Sequence, residues 1–476
     1  MTGSDARGTG IDLHLSVVRA AGATGRSLET ALREAVRSGR LAPGTRLPGS
    51  RSLATDLGLA RGTVVQVYTQ LVAEGWLVGV AGSGTSVATV PGRHVPPAAP
   101  PAAPVREQRP PSVDLRPGRP DLSSFPRAAW AASVRRTLTT VAVDALDYGD
   151  PEGQAVLRTA IADYVSRARG VHADAGSVVI TAGFTHGLAL LARALRGLGM
   201  RGVATENPGL ARHRDLIEAA GLGTVPVAVG ADGADPDAVT AAVDAVLLTP
   251  AHQQPRGVVL APRHRAAFVD WARRRDGYLV EDDYDGEFRY DQQPVGALQA
   301  LAPDRVVYAG TASKTLAPGV RLGWLVLPAA LRGAVLDAMT ETGAAVSVVD
   351  QLALADLIGN GDYDRHVRRV RLRYRRRRAE LAQRLATVTP VALDGVAAGL
   401  HALLPVESAE QERRLIDTGA RSGVRLQGLH TAGCWHDGGR DQAAALVIGY
   451  ATPPSHAWRR SLDALTDLIA AQQATS

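Results

Sequence analysis

Residues 306–324 read VVYAGTASKTLAPGVRLGW. A short apolar run ends in a polar turn and a second apolar run begins at Gly323, so the stretch predicts strand, loop, strand. The loop carries Lys314. It is the only lysine in 476 residues; the other 52 members of the Lys+Arg total of 53 are arginine. Arginine replaces lysine in most surface roles, but its guanidinium does not lose a proton at working pH. A lysine amine becomes nucleophilic when desolvated and condenses with carbonyl groups to give a Schiff base. A lysine kept where every other has gone points to covalent chemistry at this position.

Further short apolar runs end in polar residues: SVVITAG (177–183), GVATENPG (202–209), AVLLTP (245–250) and GYLVEDDYD (277–285). They alternate with helical patterns, which predicts an α/β fold with a mostly parallel sheet covered on both faces. Functional residues in such folds lie at the carboxyl ends of the strands. Hydrophobic residues make up 45% of the chain and mean hydropathy is near zero, so large cores can form in a soluble protein. No run of about 18 uncharged apolar residues reads as a membrane span. The first residues lack the apolar core of a signal peptide, and the expected location is the cytoplasm. A single cysteine, Cys434, excludes an intrachain disulfide and offers no metal cluster. The formal charge of +6 permits nucleic-acid binding without arguing for it.

The stretch PGRHVPPAAPPAAPVREQRPPS is too rich in proline for a core and reads as a semi-rigid spacer. It divides the chain into residues 1–90, the spacer 91–112, and residues 113–476. The first segment predicts a helix over 28–38 capped by Ser27, a second from Ser50, a third over about 61–74, and a hairpin over 75–88. Two helices joined by a short turn at Gly58 form the helix-turn-helix signal. From GRLAPGTRLPGSRSLATDLG through GWLVGVAGSGTSV, this segment resembles the winged helix-turn-helix of the GntR family. The resemblance implies a double-stranded operator as partner. Arg61, Thr63 and Gln66 open the recognition helix, Arg51 opens the helix before it, and Gly82 and Gly84 bring the wing close to DNA. Gly49 and Ala60 stand where that family more often has small hydroxylated residues.

From about Leu115 the chain resembles fold-type I aminotransferases, and in particular the C-terminal domain of the MocR regulators. The landmarks are DYGDPEGQAVLRTAIADYVSRARGV, ITAGFTHGL, ENPGLAR, LTPAHQQPRG, VEDDYDGEFRY and GTASKTLAPGVRLGW. The resemblance implies pyridoxal phosphate as cofactor, held covalently by Lys314. Asp282 would supply the anion for the pyridine nitrogen. Tyr284, two residues on and pointing the same way along a strand, would address the 3′ oxygen. Glu281 and Asp283 would face the opposite side, unless a bulge shifts the alternation by one. Gly183, Phe184 and Thr185 would form a phosphate cup at a helix start, joined by Ser313 and Arg321. His252 and Gln253 would lie near the ring, with ordinary loop bonding the alternative. EDD as a metal site is a further alternative, with no histidine at ligand spacing.

Two departures bear on function. GABA-responsive relatives place a tyrosine over the ring, and here Leu210 offers apolar contact alone; Arg212 remains to hold an effector carboxylate. The strand ALVIGYA (445–451) lacks the arginine with which aminotransferases clamp a substrate carboxylate, and whether Arg425 replaces it is open. These features favour a homodimeric regulator that senses pyridoxal phosphate or an amino compound, with room for a half-reaction of amino transfer. The alternatives are an active aminotransferase with a vestigial head, and a regulator whose cofactor site is dead. The arginine-rich run 362–378 reads as a helix with one buried face, its arginines either solvated or set against DNA backbone.

Overall fold

Helix α1 (Thr24–Arg37) turns Leu28, Leu32 and Ala35 inward, the i, i+4, i+7 spacing of one helix face. The computed structural model describes residues 24–80, 84–89, 112–290, 295–343, 345–436 and 442–473. Ser27 falls within the first turn of α1 rather than at its cap. Thr24 offers the same hydroxyl chemistry three residues earlier, so the local capping signal does not choose between them. Helix α2 (Ser50–Leu57) stops at Gly58, whose φ of 61° is left-handed and whose N–H returns to the carbonyls of Ala54 and Thr55. Helix α3 (Arg61–Ala73) buries Val64, Val67, Tyr68 and Leu71 against α1 and α2. Strands β1 (Leu77–Val80) and β2 (Gly84–Val87) pair antiparallel, Leu77 opposite Val87. Gly82 and most of the proline-rich stretch lie outside the described residues. The chain divides into two compact units, Met1–Glu107 and Gln108–Ser476.

The second unit begins with β3 (Val113–Asp114), α4 (Arg127–Thr140) and α5 (Ala155–Arg169). Strands and helices then alternate: β4 (Val178–Thr181), α6 (Phe184–Gly197), β5 (Gly202–Asn207), α7 (Ala211–Ala219), β6 (Gly223–Gly230). Next come β7 (Gly233–Ala234), β8 (Ala245–Leu248), α8 (Pro262–Arg275), β9 (Tyr278–Asp283), β10 (Val306–Thr311) and β11 (Gly323–Val326). They build one sheet in the order β4-β11-β10-β9-β8-β5-β6-β7. From β10 to β6 the pairing is parallel, so the sheet is mostly parallel as the alternation predicts. Strand β11 runs antiparallel to both neighbours. The loop through Lys314 returns the chain directly beside β10 without a crossover helix, which only an antiparallel neighbour allows.

Side-chain alternation divides the sheet's contacts. Ala245, Leu247, Val280 and Val307 pack with α6 and with α9 (Ala329–Thr342). Val246, Leu248, Leu279 and Val306 pack with α8. Ile180, Tyr308 and Trp324 pack with α5 and α10 (Val348–Gly359). The long helix α11 (Asp362–Leu385) leads into a smaller layer: β12 (Ala402–Val406), α12 (Ala409–Arg421), β13 (Val424–Arg425), β14 (Ala444–Ile448) and α13 (Trp458–Gln473). Strands β12 and β14 pair antiparallel, while β13 returns to β3 in parallel. One face of α11 is buried through Tyr363, Val367, Val370 and Tyr374, and Arg377 continues that face. Not every arginine is therefore on the outside. Arg377 is accommodated because Asp121 and the carbonyls of Tyr450, Ala451 and Pro453 accept its hydrogen bonds.

Beneath the sheet, Arg169 donates to Asp283 at 2.6 Å, both side chains 2% exposed, and the Tyr308 hydroxyl donates to the same carboxylate at 2.7 Å. Arg169→Ala leaves a buried carboxylate without its counter-charge. The expected cost is about 3–5 kcal/mol of stability, checked by chemical denaturation followed through tryptophan fluorescence.

Candidate functional site

Lys314 lies just past the carboxyl end of β10, and its ammonium donates to the carbonyl of Gly118 at 2.6 Å. Burial pushes its pKa below the ordinary lysine value, against the opposing pull of Asp282 and Asp285. Asp282, near the end of β9, is buried, and its Oδ1 has no hydrogen-bond partner among the described residues. Burial raises its pKa well above the carboxylate range, and the charge of Lys314 acts in the other direction. A buried carboxyl oxygen without a donor is costly unless a ligand supplies one. The other two acids of EDD are already satisfied. Glu281 accepts from the N–H groups of Leu298 and Gln299, and Asp283 accepts from Arg169 and Tyr308. The three carboxylates do not converge as metal ligands would.

An anion cradle opens where β4 meets α6. Gly183 precedes the helix with φ 89°, outside the range of ordinary side chains. A Cβ placed there would lie 3.8 Å from the Arg321 guanidinium and 3.9 Å from the Ser313 hydroxyl. Glycine thus leaves the space toward which both groups reach. Phe184 and Thr185 begin α6, whose first N–H groups have no intrahelical acceptor. Ser313 is oriented by a 2.9 Å contact with the Thr311 hydroxyl. Arg321 adopts a left-handed φ of 55°, a strained conformation for a long side chain. Three kinds of donor, backbone, hydroxyl and guanidinium, meet at one point, which is the chemistry a phosphate monoester requires.

Tyr284 and His252 are brought together: the tyrosine hydroxyl donates to the His252 carbonyl at 3.1 Å and lies 3.0 Å from its Nδ1. Asp285, missed at the sequence level, lies 2.8 Å from the same nitrogen. Gln253 is committed to the Pro208 carbonyl and Glu206. Glu206 was also missed; burial pushes its pKa up to about 7, against donors from Thr249 and Gln253. Leu210 borders a cavity with Glu206, His213 and Thr249. His213 lies against Phe184 with ring centroids 5.0 Å apart, and burial lowers its pKa to about 4. Arg212, in the first turn of α7, is exposed and makes no ion pair among the described residues. Arg425 lies in the β3–β13 ladder. Gly118 could not be found from sequence, because 196 residues separate it from Lys314.

In the head, Arg51, Arg61 and Gln66 are exposed and Thr63 is half-buried. Neither Gly49 nor Ala60 supplies a side-chain cap to the helix it precedes, which leaves those N–H groups open to an anion. Gly84, with φ 92°, begins the second wing strand beside the Arg46 side chain.

Two family descriptions divide the chain: bacterial regulatory proteins of the gntR family over residues 24–87, and aminotransferase class I and II over residues 113–416. The HTH-type pyridoxine biosynthesis transcriptional regulator PdxR of Corynebacterium glutamicum is 33% identical over 440 residues, 92% of this chain and 94% of that protein. The chain belongs to the MocR-type transcription regulators. The probable rhizopine catabolism regulatory protein MocR of Rhizobium meliloti is 34% identical over 370 residues, 74% of this chain and 75% of that one. Among solved structures, an archaeal alanine:glyoxylate aminotransferase superposes with a TM-score of 0.68 at 22% identity, covering 75% of this chain and 90% of that one. That likeness carries the fold of the second unit. This MocR-type protein therefore joins a GntR helix-turn-helix, which implies DNA binding, to a fold-type I aminotransferase-like domain. Among the described residues no helix is long and apolar enough to cross a membrane.

Proposed function

We propose that this regulator binds pyridoxal phosphate covalently through Lys314 and uses it to sense the cofactor itself or an amino compound that reacts with it. The unpartnered Asp282 carboxyl oxygen in the electrostatic field of Lys314 carries the reading, supported by the cradle of Gly183, Ser313 and Arg321. Bound there, pyridoxal phosphate supplies a carbonyl carbon open to amines. Asp282 holds the ring nitrogen's proton, Tyr284 and His252 address the 3′ oxygen, and Leu210 covers the ring. Arg212 is the candidate for an effector carboxylate. Strand β14 is apolar throughout and carries no arginine. That favours retention of an effector over rapid amino transfer.

The working form is a cytoplasmic homodimer with two heads on paired half-sites. An apolar patch supports a covering second copy: Val143 is 90% and Tyr148 99% exposed, with Leu138 and Leu146 nearby in sequence and half exposed. The test is binding to the DNA upstream of the protein's own gene. Two chains per duplex are expected. Arg61→Ala should weaken binding by about 1–3 kcal/mol, roughly 10- to 100-fold. Equal affinity of wild type and variant, measured by fluorescence anisotropy, would remove α3 from DNA recognition.

A further inference from the structure

Helix α11 uses its arginines in two ways. Those turned inward or sideways have acceptors: Arg371 the Glu287 carbonyl, Arg373 the Ser124 hydroxyl, Arg377 Asp121, and Arg378 the Gly395 carbonyl. Those turned outward are Arg365, Arg368, Arg369, Arg375 and Arg376, all exposed. Arg365 pairs with Asp362, and Arg369 reaches His366. Arg368, Arg375 and Arg376 make no ion pair or hydrogen bond among the described residues. No acidic residue occurs between Arg365 and Arg376.

Packing does not account for this face. Like charges three and four residues apart destabilise a helix by a few tenths of a kcal/mol each, and the buried face of α11 is complete without them. Five arginines over eleven residue steps cover about 16 Å at about 1.5 Å per step. A DNA strand carries one phosphate per about 3.4 Å, so the face matches a run of backbone phosphates. We infer that the outer face of α11 is a second DNA contact, binding the phosphate backbone of duplex that flanks the operator. The inference rests on the head's role in DNA binding. Because both units belong to one chain, a contact too weak to act alone gains from the effective concentration set by the bound head.

The experiment compares two duplexes, the minimal sequence protected by the full-length protein and the same sequence extended on both sides. Wild-type protein should bind the extended duplex more tightly and with a steeper salt dependence. The full-length triple variant Arg368→Ala, Arg375→Ala, Arg376→Ala should bind the minimal duplex as wild type does but lose the gain on the extended one. Three lost phosphate contacts reduce the salt slope by about 2.7, or about 40-fold less loss of affinity between about 50 and 200 mM salt. The corresponding triple lysine variant should keep the gain. Equal gains and slopes in wild type and the alanine variant would overturn the inference while leaving the head intact. Failure of the wild type on the minimal duplex would instead overturn DNA reading by the head, and the α11 contact with it. Loss of minimal-site binding in the alanine variant would also contradict it, since the face would then not act on the flanks.

Discussion

Lys314→Ala protein incubated with pyridoxal phosphate and desalted should emerge colourless, while wild-type protein keeps the visible band of the bound cofactor. The loss is expected to be complete because no other side chain can substitute. Lys314 is the only lysine, so the chain's remaining primary amine is its own N-terminus. In most proteins surface lysines also react with the aldehyde and blur such an experiment. Here reductive trapping followed by peptide mapping should label one side chain. Lys314→Arg separates charge from chemistry: a guanidinium preserves the positive charge beside Asp282 but does not condense with the carbonyl. The lysine is prepared for reaction by its surroundings. Burial lowers its pKa, and the Gly118 carbonyl holds the amine at 2.6 Å. Covalent retention in Lys314→Ala, or labelling at the N-terminus alone in wild type, would remove Lys314 from its assigned place.

Asp282→Asn should weaken pyridoxal phosphate binding by about 3 kcal/mol, on the order of 100-fold, since a buried charge-assisted hydrogen bond is lost. The same substitution should stabilise the cofactor-free protein at neutral pH. Burial raises the pKa of Asp282 in the folded state. Between the unfolded value and that raised value the folded chain binds the extra proton. Stability contributed by this group therefore falls as pH rises through that window. Asparagine has no such titration. Thermal unfolding at pH 8 should show a higher midpoint for the variant without cofactor and little further rise when cofactor is added. Wild type should show the reverse. A variant that bound cofactor as tightly as wild type would mean that another group faces the pyridine nitrogen.

The head was largely legible because its signals are local. Gly58 ends α2 where the sequence places a turn, and the apolar spacing of α1 and α3 leads directly to their buried faces. Its missed start at Thr24 reflects two capping residues of equal chemistry three positions apart. In the second unit, alternation along β9 separates Asp282 from Glu281 and Asp283, whose donors come from the Arg169, Tyr308 and Leu298 regions. What those donors are was not legible, since they arrive from distant segments. The same holds for Gly118 beside Lys314, for Asp285 beside His252, and for Glu206 among Thr249 and Gln253. Arg377 escaped for a related reason: arginine reads as surface until Asp121 and three carbonyls are seen to enclose it. The antiparallel course of β11 depends on how the Lys314 loop folds back, which periodicity does not report.

The most direct test of the account measures affinity for the upstream DNA while pyridoxal phosphate is titrated, in wild-type protein and in Lys314→Arg. Coupling between ligand sites typically amounts to about 5- to 150-fold in affinity. Wild-type affinity should shift by at least about 5-fold on that scale, in either direction, and Lys314→Arg should hold one affinity throughout. An unchanged wild type, or a variant that shifts as wild type does, would contradict the claim that Lys314 links the cofactor to the DNA.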